Sequence, residues 1–369
     1  MKSRFLLLLL IPFIQFYSQT IIDKSEDFQW TNKIFEINFE SVLKCKPVIW
    51  NNKIFIADSS GLITCIDTSG AEIWNHNIYG TVAHSPAVAD GFIAIPTNEG
   101  ELITLNRENG EQIQSLIFDE PITTDILVFN YSGSKQLMIP KQSDSKAVVL
   151  FATGTGKISC YDLETLEMIW EDNSSKKIIG YKLIYKNNKV IYSCSDGYLY
   201  CVDANAGWLI WKWKMSGDHS KPIEIFCSDN EIFLMSSDGI LYSIDSQLGS
   251  LIWKNSTNKL KEPAGLTNDG RMIVAPGKKD KFYFISESNG KNQKSVELKL
   301  KDDRATASLL GIRETVLIPT RNGVVYAVDS KYKISSLLKL GEKINSLQYI
   351  EKNKFLISTI EGKILLFFL

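Results

Sequence analysis

Three histidines, six cysteines and a series of evenly spaced aspartates are the residues of this 369-residue chain best suited to chemistry. A zinc site needs several ligands converging on one point. His76, His84 and His219 stand in unrelated sequence contexts and read as loop histidines. The cysteines, at 45, 65, 160, 194, 201 and 227, are even in number but form no Cys-x-x-Cys and no vicinal pair. No nucleophile elbow, zincin helix or phosphate loop occurs. Gly154-Thr155-Gly156-Lys157 has part of a phosphate loop's composition, but it falls at a hairpin turn with no helix after it. No catalytic, cofactor-binding or metal-ligating residue is expected, and no cofactor.

The aspartates instead mark a repeat. An apolar run, a short turn and a second strand that usually ends in Asp recur eight times, most clearly from Val190 through Gly197 to Asp203. The turn falls at Gly61, Gly100, Gly156, Gly197, Gly239, Asp280, Gly323 and Gly362, and successive positions lie 39 to 43 residues apart, except 56 between Gly100 and Gly156. Glycine suits a tight hairpin that needs positive φ. Two and five residues beyond each turn the side chain is apolar, so both faces of the strand are expected to be covered. The fourth residue is mostly small, which places Cys65, Cys160 and Cys201 at equivalent points as small buried hydrophobes. The sixth is Asp67, Asn106, Asp162, Asp203, Asp245, Ser286 or Asp329, and Phe368 in the last unit. The Asp, Asn and Ser side chains can accept backbone N–H bonds from the turn that follows, so they are expected to be structural. Trp74, Trp170, Trp211 and Trp253 come seven or eight residues after their Asp and are expected to pack between adjacent sheets. For Trp208 and Trp213 the alternative is a surface that stacks on carbohydrate.

About four strands fit one period, no helical periodicity appears, and neither end reads as a solenoid cap. The expected fold is therefore all-β, an eight-bladed propeller of four-stranded antiparallel blades. The last unit stops after its third strand at Leu369, and a strand near Phe28–Phe35, carrying Trp30, can complete it. Joining the two ends in one sheet would close the ring and hide two edges. The longer step places an insertion somewhere in 119–146, containing Lys141-Gln142-Ser143.

Composition sets the outer limits. A hydrophobic fraction of 44% excludes a disordered chain, and a formal net charge of -1 gives no nucleic-acid footprint or polybasic membrane patch. Lys278–Lys281 and Lys299–Arg304 read as solvated tips or loops. Lys2 and Arg4 precede an apolar run from Phe5 to Tyr17, the pattern of a signal peptide over 1–18 with cleavage near Ser18-Gln19. An uncleaved anchor is the alternative. Residues 19–369 are expected to form one exported, soluble, monomeric propeller, periplasmic or extracellular, with no lipidation Cys and no later membrane helix.

On these residues the chain resembles the propeller family named for pyrroloquinoline quinone. Its blade pattern appears as Gly239-Ile240-Leu241-Tyr242-Ser243-Ile244-Asp245 with Gly249 and Trp253, and again as Gly323-Val324-Val325-Tyr326-Ala327-Val328-Asp329. Ser85-Pro86-Ala87-Val88-Ala89-Asp90-Gly91 fits the approach to a blade. No Trp-Asp dipeptide closes a unit. The layout is most similar to the BamB-like branch, which implies a non-catalytic scaffold with protein partners in outer-membrane β-barrel assembly and no quinone. The alternative branch implies a dehydrogenase oxidising alcohols or sugars with quinone and calcium, and no residue here matches its ligands. A glycan-binding or sensory propeller is a third reading. The branch's partner-binding loop corresponds by position to Lys176–Gly180, where its motif does not match.

Overall fold

The fold follows from a pattern in which the two central strands of each repeat are apolar on both sides, so that each sheet must be sandwiched. The computed structural model describes residues 32–368 apart from 132–145, 174–181, 216–224, 258, 262, 268–269, 278–280, 299–303, 313–314 and 352. Trp30 and residues 1–18 thus lie outside the described residues.

Strand β1 is Asn32–Asn38. Blade 1 is then β2 to β5 (Val48–Trp50, Lys53–Ala57, Leu62–Asp67, Glu72–Asn77), and blade 2 is β6 to β9 (Ala87–Val88, Phe92–Pro96, Glu101–Asn106, Gln112–Ile117). Blade 3 is β10 to β13 (Leu127–Tyr131, Lys146–Ala152, Ile158–Asp162, Met168–Asp172). Blade 4 is β14 to β17 (Ile184–Lys186, Lys189–Ser193, Tyr198–Asp203, Leu209–Lys214). Blade 5 is β18 to β21 (Ile225–Cys227, Glu231–Met235, Leu241–Asp245, Leu251–Asn255). Blade 6 is β22 to β25 (Gly265–Leu266, Met272–Pro276, Lys281–Ser286, Asn292–Glu297). Blade 7 is β26 to β29 (Leu310–Ile312, Thr315–Pro319, Val324–Val328, Ile334–Lys339). Blade 8 is β30 to β32 (Ile344–Tyr349, Lys354–Thr359, Lys363–Phe368) with β1 as its outer strand. Each is a four-stranded antiparallel sheet, and together they make an eight-bladed propeller.

A separate apolar cluster fills each junction between neighbours. Phe55, Cys65 and Trp74 meet Ile93 and Ile103 between blades 1 and 2, for example. The cluster that closes the circle joins Leu356, Ile364 and Leu366 of blade 8 to Ile54, Ile56 and Ile66 of blade 1. Burial of this kind stabilises by about 25 cal/mol per Å2 of apolar surface.

Closure is also written in backbone bonds. β1 runs antiparallel to β32 with Phe35 opposite Leu366 and Ile37 opposite Ile364. Beyond β1, Phe39 N–H donates to Gly362 O at 2.8 Å and Leu43 N–H to Ile360 O at 2.9 Å. The described part of the closing strand overlaps the Phe28–Phe35 stretch that the sequence indicates over 32–35 and runs on to Asn38, while residues 28–31 lie outside the described residues. The long step also resolves. Residues 119–126 lead into the inner strand β10, so the surplus falls between β10 and β11, at 132–145, outside the described residues.

Hairpin chemistry agrees with the strand positions. Gly61, Gly100, Gly156, Gly197, Gly239, Gly323 and Gly362 all have positive φ. A Cβ on Gly61 would meet Ile78 O at 2.5 Å, so this turn requires glycine for space as well as conformation. Between inner strands, Asn51-Asn52 and Asn187-Asn188 have φ of 44° and 61° and of 48° and 60°, the left-handed pair of a two-residue hairpin.

Candidate functional site

Chemistry-capable side chains are spread around the ring. His84 precedes the inner strand of blade 2, half-buried, and burial holds its imidazole pKa down against the opposing charge of Asp125. His76 lies on β5, while His219 lies outside the described residues. Among the described residues no group of three or more His, Cys, Asp or Glu could hold a metal ion. All six cysteines are free thiols. Burial pushes Cys65 up to about 11 and both Cys45 and Cys201 up to about 12, and it raises Cys160 as well. Such thiols are poor nucleophiles, because the thiolate is the reactive form.

The Gly154–Lys157 turn carries a carboxylate where a phosphate loop would carry an anion. Glu120 accepts from Thr155 N–H at 3.0 Å and from the Thr155 hydroxyl at 2.8 Å. These bonds hold its pKa below the usual carboxylate range.

The recurrent aspartates accept from the turn that follows each of them. Asp67 takes Ser69 N–H at 2.7 Å and Ala71 N–H at 3.0 Å, and Asp162 takes Glu164 and Thr165, both at 2.9 Å. Asp203 takes Asn205 and Ala206, Asp245 takes Gln247 and Leu248, and Asp329 takes Lys331 and Lys333. Their carboxylates are committed to their own backbone, and lowered pKa values at Asp67 and Asp162 reflect it.

Each repeat tryptophan lies on the outer strand of its blade and covers the turn glycine of the next. A Cβ on Gly110 would stand 2.4 Å from the Trp74 ring. The same construction gives 2.5 Å for Gly207 on Trp170, 2.5 Å for Gly249 on Trp211, and 2.3 Å for Gly290 on Trp253. The indole N–H then donates across the junction, from Trp74 to Arg107 O at 3.1 Å, Trp170 to Ala204 O at 2.9 Å and Trp253 to Glu287 O at 2.8 Å. Among the described residues Trp211 has no such partner for its Nε1. Cys65, Cys160 and Cys201 sit directly opposite Trp74, Trp170 and Trp211 across the sheet, which explains why this slot is small.

Three residues fill the same slot without being Trp, and a repeat search keyed to tryptophan misses them. Phe35 sits opposite Leu366 and covers Gly70 of blade 1. Gln114 sits opposite Thr104, and its Nε2 donates to Glu164 O in the blade 3 turn. Lys294 sits opposite Phe284 with its ammonium 5.6 Å from the centroid of Tyr332 in the blade 7 turn. In those last two turns the left-handed position belongs to Leu166 and Tyr332 instead of glycine. A bare glycine therefore goes with a large aromatic cover.

Large apolar side chains are exposed on two neighbouring blades. Trp208 is 72% exposed beside Leu209 and Ile210, and Leu248 is 74% exposed beside Leu251 and Ile252 on the next blade. Trp213 is turned inward, its ring edge-on to Tyr242 at 5.1 Å. Arg271, Glu287, Gln293 and Tyr332 line a shallow, open cleft between blades 6 and 7. Lys176–Gly180, Lys278–Asp280 and Lys299–Asp303 lie outside the described residues. No helix among the described residues is long and apolar enough to cross a membrane.

Known proteins share this architecture. The chain superposes on the crystal structure of BamB from Moraxella catarrhalis with a TM-score of 0.71 at 15% identity, over 92% of this chain and 97% of that one. Sqt1 of Saccharomyces cerevisiae matches with a TM-score of 0.72 at 13% identity, covering 92% of this chain and 99% of that one. The computationally designed Ika8 protein matches at 0.69 and 15%, covering 90% and 98%. At these identities the likeness is one of fold. In sequence, the outer membrane protein assembly factor BamB of Legionella pneumophila (strain Paris) is 30% identical over 78 residues, 21% of this chain and 20% of that protein. This alignment therefore spans only about a fifth of the relative's length. The profile of the family described as outer membrane protein assembly factor BamB matches residues 22–177 and again 154–344. The chain belongs to that family, within the propellers of the pyrroloquinoline-quinone repeat.

Proposed function

We propose that this protein is a non-catalytic scaffold of the cell envelope that assists assembly of outer-membrane β-barrel proteins through protein contacts. The observation that carries the reading is the family match over two overlapping spans that together cover most of the chain. The side chains support it from the negative side of chemistry. The recurring carboxylates are bound to their own turns, and the buried thiols have pKa values far above neutrality.

In this reading residues 1–18 direct export and are removed, and the propeller acts as a monomer in the periplasm. Trp74, Trp170, Trp211 and Trp253 serve blade packing. Asp67, Asp162, Asp203, Asp245 and Asp329, with Gly61, Gly197, Gly239 and Gly323, serve turn geometry. The test is affinity capture of the full chain from detergent-solubilised envelopes. Recovery of a barrel-assembly component supports the role, and its reproducible absence from cross-linked captures overturns it. Dye reduction by the protein with added quinone and calcium would overturn the non-catalytic assignment.

A further inference from the structure

Eight outer strands form the circumference, and each leaves one row of backbone N–H and C=O groups unpaired within its own blade. Natural sheets protect such rows with charge. Seven of the eight do so. β1 has Lys33 and Glu36, β5 has Glu72, β13 has Glu171 and Asp172, β17 has Lys212 and Lys214, β21 has Lys254, β25 has Lys294 and Glu297, and β29 has Lys339. β9, Gln112–Ile117, has none.

Its two faces differ. Gln114 and Leu116 turn toward blade 3, the first through its bond to Glu164 O and the second against the apolar cluster there. Ile113, Ser115 and Ile117 point the other way, exposed, with Ile113 at 45% and Ile117 at 75%. Charge resumes only at the two ends, at the exposed Glu111 and Asp119, both acidic. Among the described residues β9 pairs with β8 alone.

We propose that β9 is a docking edge for an extended segment of a partner protein, one with no charge across its middle, apolar residues at alternate positions, and Lys or Arg at both ends. The backbone row supplies hydrogen bonds to any extended chain, and the alternation of Ile113 and Ile117 selects one facing apolar residues at the same spacing. The acidic residues at both ends select basic flanks. A second copy of the protein fits less well. Antiparallel self-pairing centred on Ser115 sets Ile113 opposite Ile117, but it also sets Glu111 opposite Asp119 of the copy, acid against acid at each end. The assignment stands on the strand's own chemistry and is independent of the assembly role proposed above.

The test uses the full chain and a short, end-capped peptide alternating valine and threonine between terminal lysines. Binding is read by fluorescence anisotropy, and its location by amide hydrogen exchange. The expected result is saturable binding with new protection over 112–118. Ile117→Lys should weaken it by about tenfold, as should exchange of the peptide's lysines for glutamates. Because Ile117 is exposed, Ile117→Lys should leave the thermal midpoint unchanged, and Ile113→Lys provides a second exposed variant. Absence of binding overturns the proposal, as does binding that protects another strand or is indifferent to Ile117→Lys. A concentration-dependent dimer dissolved by Ile117→Lys would overturn it in favour of a second copy.

Discussion

Phe35, on the strand that closes the ring, lies so close over Gly70 of blade 1 that a Cβ on the glycine would stand 2.8 Å from the Phe35 Cγ. One contact thus ties the amino-terminal strand of the last blade to the first. Phe35→Ala should lower stability by about 1–2 kcal/mol, the value for a half-buried aromatic. Deleting 32–38 should do far more, because it bares β32 and opens the cluster around Leu366. Thermal unfolding of both variants checks this, and a truncated chain that melts like the intact one would refute closure by β1.

Turn glycines give a comparison with an internal control. Gly207→Ala and Gly249→Ala combine positive φ with collision against Trp170 and Trp211. Each should cost about 2–4 kcal/mol. Gly91 has φ of +82° with nothing within 4 Å of a Cβ, so Gly91→Ala should cost only about 1 kcal/mol. Denaturant midpoints of the three variants separate strain from collision.

The indole N–H groups differ between blades. Trp170→Phe loses the bond to Ala204 O, whereas Trp211→Phe removes a donor that has no acceptor among the described residues. After similar losses of ring volume, the first substitution should cost about 1 kcal/mol more than the second. Equal costs in urea unfolding would show that these bonds contribute nothing net.

Stability should fall at both extremes of pH. Burial raises the thiols of Cys45, Cys65 and Cys201, so the folded chain keeps protons that the unfolded chain releases above about pH 9. Their contribution is intact below that point and is lost as pH rises toward 12. Asp67 and Asp162 have lowered pKa values, so their contribution holds above the ordinary carboxylate range and is lost as pH falls below it. Calorimetry from acid to alkali checks both limbs.

Thiol labelling reads the same burial kinetically. Near neutral pH an alkylating reagent should modify Cys227, the half-buried cysteine, well before the other five. In denaturant all six should react together. Fast native labelling of Cys160 would contradict its burial.

The propeller was legible in the sequence because each element of the repeat answers a local physical need. Positive φ calls for Gly61 and its equivalents, and a strand covered on both faces calls for Ile63 and Ile66. The slot opposite Cys65 was harder to read. Tryptophan marks it in four blades, but Phe35, Gln114 and Lys294 satisfy it with different chemistry. Trp30 lies outside the described residues, and on the described part of the closing strand Phe35 holds the register opposite Leu366. The Asn51-Asn52 and Asn187-Asn188 turns were written plainly but fall outside the eight-fold pattern. β9 shows what a repeat hides, since its distinguishing property is a charge it lacks.

Blade 8 draws its strands from opposite ends of the chain, and this orders events in time. While the polypeptide is being made, Asn32–Asn38 emerges early and must wait for Lys363–Phe368, its future neighbour. Until then a nascent arc has two sticky flanks and no way to finish. The last blade is therefore the one sheet that cannot form until synthesis is complete.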